Sequence, residues 1–268
     1  MRRLAALGLA VALAFGLGRS GPALAEAPKT LRIAYADTET FPNQMGTLTV
    51  PAERPGVAVE LVRMTLADLG LGIELVRVPN KRVLDGLREG AFDAAFSFSY
   101  SAERAEFARY PMKDGRPDAA RRLNTLTYAI YRARGGALDW DGQAFRNLDR
   151  PLGANAGFSV AADLRKLGLP VEEAPTTDQN FRKLLSGRIA GFAMQDIVAE
   201  GYLASAPAVA AGVEQLPRPF AQKDYFLLLS HPFAAANPAL AERIWTRLGE
   251  LRAAHQAALL EKYVGGEG

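Results

Sequence analysis

Short apolar runs alternate with helical patterns along most of this chain, and that alternation constrains its fold more than any other feature. The first four runs, at 31–36, 73–78, 92–98 and 125–132, are rich in the β-branched and aromatic residues that favour strands. Between the first two, Val62, Leu66 and Leu69 fall on one face of a helix that ends at Gly70. This pattern predicts an α/β fold with parallel strands.

A second α/β series follows a break at Gly135-Gly136. We expect a last strand at 225–230 and then a long helix that begins at Asn237-Pro238, with Asn237 as its cap. The two series, followed by a last segment in which the chain returns to the first series, predict two lobes. The chain would cross between the lobes twice, with a ligand cleft between them. The second series has predicted strands at 152–155, near Val171 and at 189–194, and predicted helices at 159–167 and 181–185.

The N-terminal segment has the pattern of a cleavable secretory signal peptide. Arg2 and Arg3 precede an uncharged apolar run at 4–17, and a small-x-small site ends at Ala25. A retained anchor is the alternative, but the run is shorter than the roughly 20 residues that span a bilayer. We therefore predict a signal peptide at 1–25, and a mature protein that is periplasmic, soluble and without a membrane span.

The basic charge of the chain lies in this predicted leader. The sequence has 32 Lys and Arg against 29 Asp and Glu, a net charge of +3. Cleavage after Ala25 would remove three Arg and no acidic residue, which leaves equal numbers of both signs. A neutral mature chain without a basic stripe argues against a nucleic-acid partner.

Several chemistries are disfavoured by what the sequence contains. There is no Cys, which excludes disulfides, thiol catalysis and iron–sulfur clusters. The two His, at 231 and 255, lack metal-ligand spacing. Neither a nucleophile elbow nor a phosphate-binding Gly loop is present. We expect no cofactor and no metal ion.

Four short motifs, taken in order, carry a family resemblance. They are 87–93 (Leu-Arg-Glu-Gly-Ala-Phe-Asp), 101–104 (Ser-Ala-Glu-Arg) with Tyr110-Pro111 behind it, 153–159 ending in Gly-Phe-Ser, and 185–189 (Leu-Ser-Gly-Arg-Ile). Their order and spacing resemble the bacterial extracellular solute-binding proteins of family 3, the periplasmic amino-acid-binding proteins. The resemblance extends over about 31–264.

The resemblance implies the type 2 periplasmic binding fold, two α/β lobes of mostly parallel sheet flanked by helices. Lobe 1 would contain 26–131 and 220–268, and lobe 2 would contain 132–219. It also implies a monomeric binding protein, not an enzyme, that captures a small carboxylate-bearing solute for an inner-membrane permease of the ABC type.

The resemblance also implies ligand-binding residues. Arg104 stands where the family grips the ligand carboxylate, which suits a guanidinium because it can donate two parallel charge-assisted hydrogen bonds; a surface Arg paired with a nearby Glu is the alternative. Ser97 and Ser99, two apart on a strand, would face one side. Phe41 would cover the ligand, unless it is a core residue.

Two further parts of the predicted site come from the second lobe. Phe158 and Ser159 precede a helix whose free N–H groups favour an anion, although Ser159 could act only as the N-cap. The family usually places an Asp where it pairs with the ligand ammonium. Counting from Gly187 this position falls on Gln195, and counting from Tyr202 it falls on Asp196. Gln195 would admit ligands without an amine, whereas Asp196 would retain an amino acid.

Two alternatives to the transport function remain open. One is an enzyme on the same scaffold, similar to the periplasmic cyclohexadienyl dehydratases, which would need a positioned acid near the carboxylate clamp. The other is an accessory or sensor protein that binds solute without transporting it. No sequence feature separates this second alternative from the transport protein.

Overall fold

The structure is a computed structural model that describes residues 30–264. The predicted signal peptide at 1–25 lies outside the described residues.

The strands follow the predicted apolar runs closely. The main strands extend the predicted runs by one to a few residues, or shift them slightly toward the C-terminus. The strands are β1 (Thr30–Ala36), β2 (Gly72–Val78), β3 (Ala94–Ser99), β4 (Ala108–Arg109), β5 (Met112–Lys113), β6 (Arg116–Pro117), β7 (Asn124–Ala133), β8 (Asp139–Trp140), β9 (Phe145–Arg146), β10 (Leu152–Asn155), β11 (Val171–Ala174), β12 (Gly191–Gln195), β13 (Val213–Gln215) and β14 (Ala221–Ser230).

Most of the helices lie between these strands and the last two follow β14, and a 3₁₀ turn at Ala119–Arg121 precedes β7. Among the described residues, none of them is both long enough and apolar enough to cross a membrane. The helices are α1 (Val57–Asp68), α2 (Asn80–Arg88), α3 (Ala102–Ala105), α4 (Ser159–Lys166), α5 (Thr177–Leu185), α6 (Asp196–Ser205), α7 (Pro207–Gly212), α8 (His231–Ala236) and α9 (Pro238–Val264).

Ten of the described strands form a mixed sheet with the order β11-β10-β12-β7-β14-β3-β1-β2, to which β13 adds beside β7 and β4 beside β14. The pairs β5–β6 and β8–β9 are separate two-stranded sheets. At one end β1 pairs in parallel with β2 and β3, and at the other β10 pairs in parallel with β11 and β12. The long strands β7 and β14 are antiparallel to their neighbours and to each other. They are the two crossings that join the parallel ends.

Each parallel end has its own apolar core on both faces of the sheet. Along β1, Ile33 and Tyr35 pack on the face covered by α1 and α9, whereas Ala34 packs on the face covered by α2. At the other end, Ala193 of β12 faces α4 and Met194 faces α5 and α6. We call the end with β1 the first lobe and the end with β10 the second lobe. The predicted residue boundaries between the lobes stay predictions.

Of the two predicted helix caps, one is confirmed in position and the other is wrong. Asn237 directly precedes α9 and its carbonyl accepts the Ala241 amide, while its side-chain amide donates to the carbonyl of Phe233 in α8. Ser159 is not the N-cap of α4, because Phe158 occupies that position and Ser159 is the first helical residue. The hydroxyl of Ser159 is thereby free for contacts across the cleft.

Candidate functional site

A small cavity lies between the lobes, where the crossing strands meet the ends of β3 and β12. The volume of this cavity is about 50 Å³. The lining comes from both lobes and from both crossing strands: Ala36, Thr38, Thr40, Asn43, Gln44, Asn80, Phe96, Ser97, Phe98, Ser99, Arg104, Asn124, Leu126, Tyr128, Gly157, Phe158, Ser159, Gln195 and Tyr225.

Arg104 occupies the wall of this cavity and is 9% exposed. It lies in α3, whose N-cap Ser101 accepts a hydrogen bond from the Arg104 amide. Its Nη1 donates to the carbonyl of Ser99 (2.9 Å) and its Nη2 to the carbonyl of Gly157 (3.2 Å). The hydroxyl of Tyr110 donates to the same Ser99 carbonyl at 2.9 Å. The guanidinium is therefore held in place by neutral main-chain oxygens of both lobes.

A line of hydrogen bonds runs from Ser99 across the cleft. The hydroxyls of Ser99 and Ser159 lie 2.8 Å apart, and Nζ of Lys223 donates to Ser159 Oγ at 2.8 Å. Lys223 also forms an ion pair with Asp163 of α4. Burial lowers the pKa of Lys223, Asp163 raises it, and the charge of Arg104 lowers it further. The two cations therefore act on each other electrostatically.

Gln195 joins the two crossing strands at the floor of the cavity. Its Nε2 donates to the hydroxyl of Tyr225 on β14 at 2.6 Å, and lies 3.4 Å from the hydroxyl of Tyr128 on β7. The two tyrosine hydroxyls are 2.9 Å apart. Burial raises the pKa of both tyrosines, so both stay protonated and neutral at physiological pH.

The loop between β1 and α1 supplies the remaining polar wall. Thr40 pairs with Gln44 through a β-bridge. The Oδ1 of Asn43 accepts a hydrogen bond from Asn124 Nδ2 at 2.8 Å. Behind this loop, Arg77 of β2 donates to the carbonyls of Met45, Gly46 and Thr49 at 2.6, 2.7 and 3.1 Å. Arg77 thus holds in place the loop that carries Asn43 and Gln44.

Ser97 lies at an irregular point of β3. The pairing register with β14 shifts here, because Phe226 faces Phe98 and Leu227 faces Phe96, which leaves Ser97 without a partner. Its φ of 66° is in the left-handed region, where a side chain other than glycine is strained. Such bulges redirect side chains next to binding sites. As a result Ser97 and Phe98 both line the cavity, in place of strict alternation.

No protein-family model matches the chain, and no curated protein is similar to it in sequence at a significant level. Solved structures do match. A histidine kinase sensor domain with similarity to periplasmic binding proteins superposes with a TM-score of 0.70 at 17% identity, over 89% of this chain and 97% of that one. The chain has the periplasmic-binding-protein fold. The predicted two-lobed α/β fold is thereby confirmed.

Two amino-acid-binding structures share this periplasmic-binding-protein fold. The arginine-, lysine-, histidine-binding protein ArtJ from Geobacillus stearothermophilus gives a TM-score of 0.67 at 16% identity, over 89% of this chain and 96% of that one. The ligand-binding core of GluR0 from Nostoc punctiforme, in complex with L-glutamate, gives 0.66 at 16% identity, over 88% and 100%. At these identities the likeness concerns the fold.

Most of the residues predicted for the site lie together in the cavity wall of this binding-protein fold. Six of the eight are in the lining: Ser97, Ser99, Arg104, Phe158, Ser159 and Gln195. Whether they bind a ligand stays a prediction.

Two predicted residues lie elsewhere. Phe41 is outside the lining because the loop turns there, and its side chain lies near the position that a Cβ would take at Gly201 of α6. Asp196 is also outside the lining, since it begins α6 and its Oδ1 accepts the Ile197 amide at 2.7 Å. The structure therefore places Gln195, and not Asp196, at the cavity.

The sequence reasoning missed part of the wall. Tyr128 and Tyr225 belong to apolar strands, and nothing in the local sequence distinguishes them from other strand residues. Asn43, Gln44 and Asn124 lie in or beside loops that have no periodic pattern. Within residues 30–264, no group of three or more potential ligand residues could hold a metal ion.

Proposed function

We propose that this protein binds a small carboxylate-bearing solute between its lobes, with Arg104 as the group that holds the carboxylate. The observation that carries the proposal is the setting of that guanidinium, which is 9% exposed and donates to the neutral carbonyls of Ser99 and Gly157. A buried charge without a counter-charge is costly, and a bound carboxylate would compensate it.

The guanidinium has donors to spare for such an anion. It carries five N–H groups, and only part of them is directed at the carbonyls of Ser99 and Gly157. The N-terminus of α4, which begins at Ser159 beside the cavity, adds the positive end of a helix dipole. Groups from both lobes would then hold the same anion, which is what ligand-driven closure requires.

The solute would be handed to an inner-membrane permease of the ABC type, with the mature monomer acting in the periplasm. The predicted signal peptide at 1–25 and the similarity in fold to the substrate-binding protein of an amino acid ABC transporter (TM-score 0.64 at 13% identity) support this assignment. A receptor role is the second candidate, because the fold is also similar to a histidine kinase sensor domain. We propose no catalytic step, since the described lining offers amides, hydroxyls and one guanidinium but no carboxyl group.

A ligand screen tests the binding function. Thermal unfolding of the purified protein is recorded with each of the common L-amino acids and with a set of small organic acids. We expect at least one saturable stabilisation, because a ligand that binds the folded state alone raises its stability. Isothermal titration of that compound against Arg104→Ala should then show no binding.

The matched control is Arg82→Ala. Arg82 is an exposed residue of α2 outside the cavity lining, and this variant should keep the wild-type affinity. Binding that survives Arg104→Ala, or a screen without a single hit, would contradict the proposal. Loss of uptake of the same compound in cells that lack the gene would separate transport from sensing.

A further inference from the structure

The charge of the cavity wall is that of one guanidinium. Among the lining residues that the structure describes, Arg104 is the one with a formal charge at neutral pH. Just behind the wall, Lys223 and Asp163 form an ion pair and offset each other. A bound monoanion would make the site neutral overall, whereas a zwitterion would leave it with a net positive charge.

At the end of β12 the cavity wall has an amide and not a carboxylate. Gln195 is 4% exposed and is fixed by its hydrogen bond to the Tyr225 hydroxyl, while the carboxylate of Asp196 is bound to the Ile197 amide outside the lining. A ligand ammonium would therefore be buried near the charge of Arg104 without a carboxylate in the lining to balance it. Burying an unpaired charge in this way is unfavourable.

Four oxygens of the lining residues are buried and have no hydrogen-bond partner. They are Gln44 Oε1, Ser97 Oγ, Asn124 Oδ1 and Gln195 Oε1. They belong to lining residues of the loop before α1, of β3, of β7 and of β12, so each wall of the cavity holds an acceptor without a donor. Oxygens of this kind accept a hydrogen bond from a neutral hydroxyl group, and a hydroxyl brings no charge that needs balancing.

We infer that the solute is a short 2-hydroxy carboxylate, with its carboxylate on Arg104 and its hydroxyl among the unpaired amide and hydroxyl oxygens. This rests on the proposed function, and it distinguishes the chain from a binding protein for amino acids. The size limit comes from the cavity that contains the four unpaired oxygens, since its roughly 50 Å³ is smaller than the cavity of about 150 Å³ that holds benzene. A larger pocket of about 590 Å³ shares Arg104 and Ser159 with it but is lined by none of the residues that carry these oxygens.

Matched pairs of acids on one carbon skeleton test this inference. Isothermal titration compares glycolate with glycine, lactate with alanine, and 2-hydroxybutyrate with 2-aminobutyrate, using both enantiomers where they exist. We expect at least one hydroxy acid to bind at least about tenfold more tightly than its amino partner, a difference of about 1.4 kcal/mol. Propionate, which lacks the hydroxyl, should bind more weakly than lactate.

A charge introduced at Gln195 provides a second readout. Gln195→Glu should weaken the hydroxy acid at least about tenfold through repulsion of its carboxylate, and should shift the preference toward the amino partner. The same exchange at the exposed loop residue Gln143, Gln143→Glu, should leave both affinities unchanged. Circular dichroism shows whether the variants fold, and the wild-type pairs decide the question if they do not.

The outcomes separate the two proposals. An amino acid that binds as tightly as its hydroxy partner, with binding lost in Arg104→Ala, overturns the ligand class and leaves the binding function intact. The absence of binding for all short pairs also overturns the ligand class. The binding function itself falls only when the broad screen gives no hit or when Arg104→Ala has no effect.

Discussion

Arg104 donates a hydrogen bond to the main-chain carbonyl of Gly157, with Nη2 3.2 Å from the oxygen. Because the same guanidinium donates to the carbonyl of Ser99 in the first lobe, one side chain holds both walls of the cleft. Nδ2 of Asn80 lies 3.4 Å from the Gly157 carbonyl as well. Ligand binding at Arg104 would therefore be coupled to the relative position of the lobes.

The hydrogen bond between the hydroxyls of Ser99 and Ser159 joins the two lobes and should contribute measurably to the free energy of unfolding. In a double-mutant cycle of Ser99→Ala and Ser159→Ala we expect a coupling of about 1 kcal/mol, since each single change removes the same 2.8 Å hydrogen bond. Urea unfolding of the four proteins measures it. Ser99→Ala combined with Ser186→Ala, which lies in another part of the second lobe, should be additive. Additivity in both cycles would contradict the bridge.

Gly56 should tolerate no side chain, because it lies against the loop that forms the cavity wall. It is the N-cap of α1 with φ 112°, and a Cβ there would lie 2.3 Å from the carbonyl oxygen of Asn43. We expect Gly56→Ala to lower the free energy of unfolding by more than about 3 kcal/mol.

The control for this prediction is Gly70→Ala. Gly70 has φ 70°, but a Cβ there would meet nothing within 4 Å. It should therefore cost only the strain of the left-handed backbone, about 1–2 kcal/mol. Equal losses for the two variants in urea unfolding would show that the close approach to Asn43 does not matter.

Arg77 should be a positioning residue for the loop that carries Asn43 and Gln44. A lysine keeps the charge but cannot donate to three carbonyls in the geometry of a planar guanidinium, which also lies 4.9 Å from the ring centre of Tyr35. We expect Arg77→Lys to destabilise the protein by about 1–3 kcal/mol. It should also accelerate amide hydrogen exchange at 43–50, whereas Arg182→Lys, on an exposed helix face, should not.

The sequence predicted the sheet and the helices well because burial on two faces leaves a strong signal. A strand such as β3, with Phe96 and Phe98 inside, stands out as a continuous apolar run. The same signal hides functional residues. Tyr128 and Tyr225 lie in apolar strands, and only the pairing of β7 with β12 and β14 brings their hydroxyls to Gln195.

The choice between Gln195 and Asp196 shows where sequence reasoning ends. Counting from Gly187 predicts Gln195 at the site, and counting from Tyr202 predicts Asp196. A shift of one position in the chain decides which of the two side chains lies at the end of β12. The structure ends the strand at Gln195 and begins α6 at Asp196, so the backbone changes direction between them. Similarly, the irregularity at Ser97 depends on its pairing with β14 and leaves no mark in the local sequence.

The Tyr202–Asp178 contact on the second lobe should make stability depend on pH. The Tyr202 hydroxyl donates to Asp178 Oδ1 at 2.6 Å. This hydrogen bond, opposed by burial and supported by Arg182, holds the pKa of Asp178 below its usual 3.8. A carboxyl whose pKa is lower in the folded state stabilises the protein above its unfolded pKa, and this contribution is lost as the pH falls through the folded pKa.

We therefore expect Tyr202→Phe to lower the free energy of unfolding by about 0.5–1 kcal/mol at pH 7, a modest amount because the carboxylate is partly exposed to water. The phenyl ring keeps the stacking on Phe181, whose ring centre lies 5.3 Å away. The difference from wild type should shrink as the pH falls below the pKa of an aspartate in the unfolded chain, about 3.9, and vanish once Asp178 is protonated in the folded state as well. Urea unfolding at several pH values measures it, with Tyr100→Phe, which changes an exposed tyrosine, as the control. A loss that is the same at pH 7 and at the most acidic pH at which both proteins stay folded would show that the hydrogen bond to the carboxylate is not responsible.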